Sequence, residues 1–236
     1  MPEAVIQQAL KFMPKVQILQ AYGQTEAAPV ITNLRPERHT FEGPLAGKMK
    51  SAGQALPCID VCIMDENNQR VDYGVVGEVC MRGPNIMKGY RNLDEQTAMA
   101  IVDGWLHTGD GGYMDEEGFV FIVDRVKDMI ISGGENVYSA EVENALYQHD
   151  AVSQCAVIGI PHDKWGESVH AIVVLKDDTA CDEAELIEHC KTLIAGFKCP
   201  RSVSFQSEPL PLSGAGKILK TELRKPYWKE GERIVN

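Results

Sequence analysis

The sequence predicts a mixed α/β protein in two parts: a β-rich stretch over residues 1–124 and a small α/β domain over residues 125–236. Two observations predict it. Between Ile59 and Asp124, strand-length apolar runs follow one another across turns built from Gly, Asn and Asp, such as DENNQ and MDEEG. After Asp124, strand-like runs alternate with segments whose apolar residues recur at helical spacing, the arrangement of strands and helices packed in layers.

Taken in order, PEAVIQQALKFM is a helix on the spacing of Val5, Ile6, Ala9, Leu10 and Met13. VQILQAYG reads as a short buried strand, and residues 33–57, polar and rich in Gly and Pro, as loop. Four strands follow: IDVCIMD, GVVGEVCMRG, GWLHTGDGGYM and GFVFIVD. SAEVENALYQH is a helix with Ser139 as its N-cap and Val142, Ala145 and Leu146 on one face. VSQCAVIGIP and SVHAIVVL are strands. DEAELIEHCKTLIAGF is a helix opened by a capping box of Asp182 and Glu185, and Gly196 lies near its end. SVSFQS is a strand, and ILKTELRK starts a terminal helix. One helix, one strand and a set of meanders give the first part too few partners to cover its strand. Together with the Met1-Pro2 start, this reads as a chain entered partway through.

With 23 Lys+Arg against 34 Asp+Glu, the net charge of −11 offers no field to attract nucleic acid or an anionic membrane surface. An anionic ligand must be held by a few local cations. The longest apolar runs, FVFIV and AIVVL, are strand-sized, too short to span a bilayer. MPEAVIQQAL lacks the basic and apolar regions of a secretory signal. Seven cysteines are an odd number without C-x-x-C spacing, and the six histidines show no ligand spacing. Buried reduced thiols, a cytoplasmic location and no caged transition metal are the expectation.

The stretch LSGAGKILK ends a small, glycine-rich loop on a lysine, but the phosphate-binding pattern G-x-x-x-x-G-K-[ST] fails at Pro211 and again at Ile218. AYGQTEAAP comes off a strand and gathers an aromatic ring for stacking, a glycine for close backbone approach, a hydroxyl for phosphate and a carboxylate for Mg2+. It reads equally as a turn after a core strand. In GWLHTGDGGYM, Asp110 suits a vicinal diol such as a ribose, and T-G-D-G-G alone favours an Asx-type turn. DRVKD followed by a strand and Gly133-Gly134 reads as a solvated linker and tight turn. Because it lies where the pattern changes, it reads also as a hinge.

YGQTE, TGD, DRVKDMIISGGENVYSAEVE and GKILK, in this order and at these separations, resemble the adenylate-forming superfamily of acyl-CoA synthetases, adenylation domains and luciferases. GGENVYSAEVE and its surroundings look most like a bacterial fatty-acyl-CoA ligase. The resemblance covers the whole chain, but only the C-terminal part of such an enzyme. It implies the end of a large AMP-binding domain over 1–124, a small mobile lid domain over 125–236 and a hinge near Lys127. The serine/threonine/glycine-rich phosphate loop and most of the acyl pocket are not in this stretch, so the chain alone is not expected to turn over.

The resemblance implies the following roles. Tyr22 lies against adenine with Gly23 beside it, Thr25 touches the adenylate phosphate, and Glu26 helps hold Mg2+. Asp110, assisted by Arg125, takes the ribose hydroxyls, and Lys217 is the catalytic lysine on a thin, mobile loop. Gly134 lines the tunnel for the coenzyme A arm, and Trp165, Phe197 and Lys198 stand at the CoA nucleotide end or pack ordinarily. Cys199 stands where some relatives have arginine, Ser139 where many have proline, and Leu212 where a basic residue often stands. The implied reaction consumes a carboxylic acid, ATP and CoA. Transfer to a carrier-protein thiol, or a non-catalytic nucleotide- or CoA-binding module, are the alternatives.

Overall fold

The computed structural model describes residues 3–214 and 216–228. They form two compact units, one running to Val123 and the other from Asp124 on. The first unit opens with α1 (Glu3–Phe12) and a three-stranded sheet of β1 (Gln20–Gly23), β2 (Val30–Leu34) and β3 (Gln54–Ala55), adjacent in that order. The expected buried strand is shorter and more open than its apolar run. β1 alternates half-buried with exposed residues at the edge of its sheet. Val16 and Leu19 precede its ladder and stand 48% and 55% exposed.

Next come β4 (Asp60–Met64), β5 (Gly77–Arg82), α2 (Asp94–Ala100), β6 (Ile101–Val102), β7 (Trp105–Met114) and β8 (Val120–Arg125). They make a five-stranded sheet in the order β4-β5-β7-β6, with β8 also on β7. The two sheets join where Ala52 N–H donates to the Val120 carbonyl (2.7 Å) and Val120 N–H to that of Gly53 (2.9 Å). Asp110, expected either at a turn or at a ligand, lies inside the ten-residue β7.

The second unit contains β9 (Ile130–Ser132), β10 (Glu135–Val137), α3 (Ser139–Leu146), β11 (Val152–His162), β12 (Gly166–Leu175), α4 (Glu183–Leu193), β13 (Ser202–Phe205) and α5 (Lys220–Arg224). Its sheet runs β10-β9-β12-β11, and β13 adds to β12 in parallel. Cys155 and Val157 of β11 join the core that includes Val142 and Leu146 of α3 and Leu186 of α4. The alternate residues Ala156 and Ile158 pack with Leu210 and with Leu223 of α5. Both faces are covered, so these strands read as continuous apolar runs rather than alternating ones.

Asp182 caps α4 as expected, accepting from the Glu185 amide at 2.9 Å. Ser139 does not cap α3: it is the first helical residue, and its hydroxyl donates to Asp124 Oδ2 at 2.6 Å. The same oxygen accepts from the Ala140 amide (3.3 Å), so a carboxylate sixteen residues upstream serves one of the orphan amides at the helix start. Lys220 Nζ reaches the Ser139 hydroxyl and pairs with Glu143 at 2.7 Å, and Glu143 Oε1 also accepts from the Val157 amide at 2.8 Å. Burial pushes the Glu143 carboxyl up, and the Lys220 charge opposes the shift.

All seven cysteines are free thiols; five are buried, whereas Cys58 is exposed and Cys181 half-buried. Burial raises the thiols of Cys181 and Cys190 to about 11.

On β12, His170 turns to the α5 side, where its Nδ1 meets the Ser202 hydroxyl (2.7 Å) and its Nε2 the Tyr227 hydroxyl (3.0 Å). Burial lowers its pKa below the ordinary value of about 6.5. The unfolded chain therefore binds a proton before the folded one does. Its share of stability is complete above that pH and is lost as pH falls through the depressed folded value. Urea unfolding from about pH 7.5 to about pH 5 should show a fall in stability that is smaller in His170→Gln. Equal slopes in the two proteins would exclude this origin.

Candidate functional site

Two of the motif residues meet in the first unit. Tyr22, at the end of β1, donates its hydroxyl to Asp110 Oδ2 of β7 at 2.7 Å across 88 residues of sequence. The carboxylate is thus not spent on a local Asx turn. The ring of Tyr22 packs beside the apolar cluster of Ala27, Ile31, Met81 and Leu106, so its body is held by the core while its polar end faces the carboxylate.

Beyond Gly23 the chain makes a short helical turn, Thr25–Ala27, with Thr25 exposed and Glu26 half-buried. A Cβ on Gly23 would come within 1.9 Å of the Pro29 carbonyl oxygen. The close approach that requires glycine here is therefore to the chain's own returning strand.

A segment that the sequence reading passed over steadies this turn. Asn85 donates to the Ala27 carbonyl (2.6 Å), the Met87 amide to the Glu26 carbonyl (2.8 Å), and the Tyr90 hydroxyl to Glu26 Oε1 (2.8 Å). The hydrogen bond to Glu26, aided by burial, raises the Tyr90 phenol. Nothing in the local spacing of GPNIMKGY announces these partners, because the strands bring them in from 55 to 65 residues away. A half-buried carboxylate with one oxygen oriented by a phenol suits a hard cation such as Mg2+, which takes one or two carboxylates and completes its shell with phosphate and water oxygens.

The residues assigned around the second unit fall into three places. Arg125 ends β8 and is exposed. Lys127 is exposed in the short turn Val126–Asp128, and the carboxylates on either side of it are anchored. Asp124 is held by Ser139 and Ala140, and Asp128 by Arg224 at 2.8 Å. The charge cluster is therefore not a uniformly solvated linker, because its acidic ends are tied down and only 125–127 lies between them.

Gly133 and Gly134, at φ 64° and 86°, form the two-residue turn of the β9–β10 hairpin, which needs positive φ at both positions. The Gly133 amide donates to the Trp165 carbonyl at 2.9 Å, and a Cβ on Gly133 would lie 3.3 Å from that indole. Trp165 stacks on His162 at 4.5 Å and carries the guanidinium of Arg201 3.6 Å over its ring. Arg201, absent from the sequence reading, brings a cation to this face, whereas Cys199 is 3% exposed and turns its thiol to the carbonyls of Ile194 and Ala195. Phe197 is exposed, and Lys198 pairs with Glu141 at 2.7 Å.

Lys217 is exposed on a loop whose base is closed: Leu212 bridges Ile218, the Ser213 amide donates to the Lys217 carbonyl (2.7 Å), and the Leu219 amide to that of Pro211 (2.8 Å). Ala215 lies outside the described residues.

His, Cys and Glu donors also meet in two places that spacing did not show, Glu78–Cys80–His107 and His149–Cys181–Glu185, each set within 4.8 Å. In the first, Glu78 and His107 already satisfy each other at 2.7 Å, and burial pushes the Cys80 thiol up, against the thiolate a metal needs.

Residues 1–91 match the family described as AMP-binding enzyme, and residues 141–217 match AMP-binding enzyme C-terminal domain. A feruloyl-CoA synthase from an Amycolatopsis species is 46% identical over 89% of this chain and 41% of its own length. A fatty acid–[acyl-carrier-protein] ligase from Streptomyces coeruleorubidus is 39% identical over 99% of this chain and 44% of its own. The chain thus spans well under half of either relative. Among solved structures, o-succinylbenzoate CoA synthetase from Bacillus subtilis in complex with its acyl-adenylate matches with a TM-score of 0.84 at 35% identity, over 94% of this chain and 43% of that one. The same enzyme with ATP and a magnesium ion matches with a TM-score of 0.83 at 34% identity, over 94% and 44%.

Because Gly134 has positive φ and no described residue within 4 Å of where a Cβ would stand, a side chain there strains the backbone without a clash. Gly134→Ala should cost about 1–2 kcal/mol in urea unfolding, and Gly134→Asn less, since asparagine tolerates this region. A cost-free Gly134→Ala would contradict the turn geometry.

Proposed function

Since this chain belongs to the adenylate-forming, AMP-binding enzyme family of acyl-CoA ligases, we propose that the protein containing it joins a carboxylic acid to ATP, releasing pyrophosphate, and then transfers the acyl group from AMP to the thiol of coenzyme A. The observation that carries the reading is the 2.7 Å bond between Tyr22 and Asp110, which sets an aromatic ring and a diol-binding carboxylate side by side from two separate motifs. The ring offers a face to adenine and the carboxylate accepts the ribose hydroxyls.

Thr25 offers its hydroxyl to the α-phosphate, and Glu26, oriented by Tyr90, is the carboxylate to hold Mg2+. When bound, the cation neutralises charge between phosphates. Lys217 meets the charge that develops between the acid's carboxylate and the α-phosphate. Gly134, Trp165, Phe197 and Lys198, with Arg201, serve the coenzyme in the second step, and the second unit turns about Lys127 between the two steps.

We assign the acid to the fatty class on the GGENVYSAEVE region and on the fatty-acid ligase among the relatives. The feruloyl-CoA synthase marks the aromatic competitor. Initial rates with fatty and cinnamic-type acids separate the two. A second reading, transfer to a carrier-protein thiol, has the carrier-protein ligase in its favour, and replacing CoA by a loaded carrier in the assay decides it. The free cysteines fit a reducing, cytoplasmic compartment, and no described helix is long and apolar enough to cross a membrane.

Lys217→Ala in the full-length enzyme should slow pyrophosphate release with acid and ATP by about 10²–10³-fold, the usual loss of one preorganised charge. Given preformed acyl-adenylate and CoA, the same variant should make thioester at the normal rate. Equal loss in both steps would rule out a lysine used in one step only.

Lys127→Pro restricts φ to near −65° and should depress thioester formation more than adenylation. An equal effect on the two half-reactions would remove Lys127 from the hinge.

A further inference from the structure

The segment that carries Asp110 is an irregular piece of strand. In the β5–β7 ladder Cys80 pairs with His107, but the next pair is Glu78 with Gly111, so Thr108, Gly109 and Asp110 all stand opposite Val79 alone. Such a bulge strips backbone groups of their ladder partners and leaves its own conformation to be decided by side chains.

Here the partners are visible. Gly109, at φ 73°, donates its amide to Glu78 Oε1 at 2.8 Å. The Thr108 hydroxyl donates to the Val79 carbonyl at 2.7 Å and accepts from the Asp110 amide at 3.1 Å. The second oxygen of Glu78 accepts from His107 Nδ1 at 2.7 Å. One carboxylate therefore grips the last regular residue before the bulge and the residue at its centre.

The side chains of Glu78 and His107 are 25% and 12% exposed, so the grip is largely removed from water. The far nitrogen of His107 is buried without a hydrogen-bond partner among the described residues, so the imidazole's bonding is committed to the Glu78 side of the strand.

We propose that Glu78 is a positioning residue for nucleotide binding: through Gly109 and His107 it holds the bulge in the one shape that aims the Asp110 carboxylate at Tyr22 and the ribose. This rests on the reading of Asp110 as the ribose ligand. Glu78 itself touches no substrate. Two acceptor oxygens are needed to hold two donors, which is why a carboxylate stands here. Glutamine can stand in, because its carbonyl accepts from Gly109 while its amide donates to the other tautomer of His107.

The test measures ATP KM and kcat in the full-length enzyme for Asp110→Ala, Glu78→Ala, Glu78→Gln and the Glu78→Ala/Asp110→Ala double variant, with thermal unfolding of each. Loss of charged hydrogen bonds predicts a rise of roughly 10–100-fold in ATP KM for Asp110→Ala. Glu78→Ala should raise ATP KM by about tenfold with kcat changed by less than about twofold, the signature of lost uniform binding. Glu78→Gln should recover most of that rise. The double variant should bind ATP within about twofold of Asp110→Ala alone, because Glu78 acts only through Asp110.

Losses that multiply in the double variant, or a Glu78→Ala enzyme with reduced thermal stability and unchanged ATP KM, would overturn the inference while leaving the ribose reading intact. If Asp110→Ala leaves ATP KM unchanged, the ribose reading falls first and the inference with it. Should Glu78→Ala not fold, His107→Ala, which removes one of the two donors, should give a smaller rise in ATP KM, and no rise would overturn the proposal.

Discussion

The hydrogen bond between Tyr22 and Asp110 is the contact on which the first unit's candidate site depends. β1 and β7 belong to different sheets, and each residue taken singly could serve only its own turn or strand. The bond is possible because the ring of Tyr22 is seated against the apolar cluster containing Met81 of β5 and Leu106 of β7. Apolar burial thus places the ring, and the ring places the hydroxyl. The turn that follows β1 is steadied by hydrogen bonds from Asn85, Met87 and Tyr90, which lie about sixty residues further along the chain. Polar geometry in this unit is a consequence of where the apolar faces meet.

The second unit has a comparable centre in Lys220. Its ammonium pairs with Glu143 on α3 and reaches Ser139, which in turn donates to Asp124 at the head of the unit. Breaking a buried pair by removing one partner leaves an uncompensated charge, so the elements joined here stay joined. Two consequences bear on function. The lysine loop that ends at Lys217 is rooted three residues before an anchored side chain, with its base closed by the Leu212–Ile218 bridge. The acidic ends of DRVKD are likewise clamped, by Ser139 and by Arg224, with Arg125, Val126 and Lys127 between them.

Much of this was legible in the chain itself. The meander strands, the helix-period segments and the Asp182 cap are local properties: side-chain alternation, helical spacing and one side chain reaching its own next turn. Where the reading missed, the missing information was long-range. Ser139 looks like a cap because a serine before an apolar-periodic run usually is one, but here it is the first helical residue, and the Asp124 carboxylate takes both its hydroxyl and the Ala140 amide. Val16 and Leu19 looked buried because burial was inferred from hydrophobicity, and their ladder begins only at Gln20. Cys199 stands where some relatives have arginine, which puts a contact there in doubt, and nothing in the local spacing points instead to Arg201, whose place over Trp165 is set only once the chain has packed.

By itself the sequence determined the inventory and the order: which residue types stand in YGQTE, TGD, DRVKD, GGENV and GKILK, most of the longer runs that form strands or helices, and a net negative charge that leaves an anionic ligand to a few local cations. Spacing along a chain encodes those properties because they depend on neighbours within a turn or two. Only the tertiary structure decided that Asp110 faces Tyr22 rather than its own turn, that Glu78 spans a bulge to hold it, and that Arg201 covers Trp165. These contacts join residues tens of positions apart, and the pairing of strands and the burial of apolar faces set them, so no local pattern could have carried them.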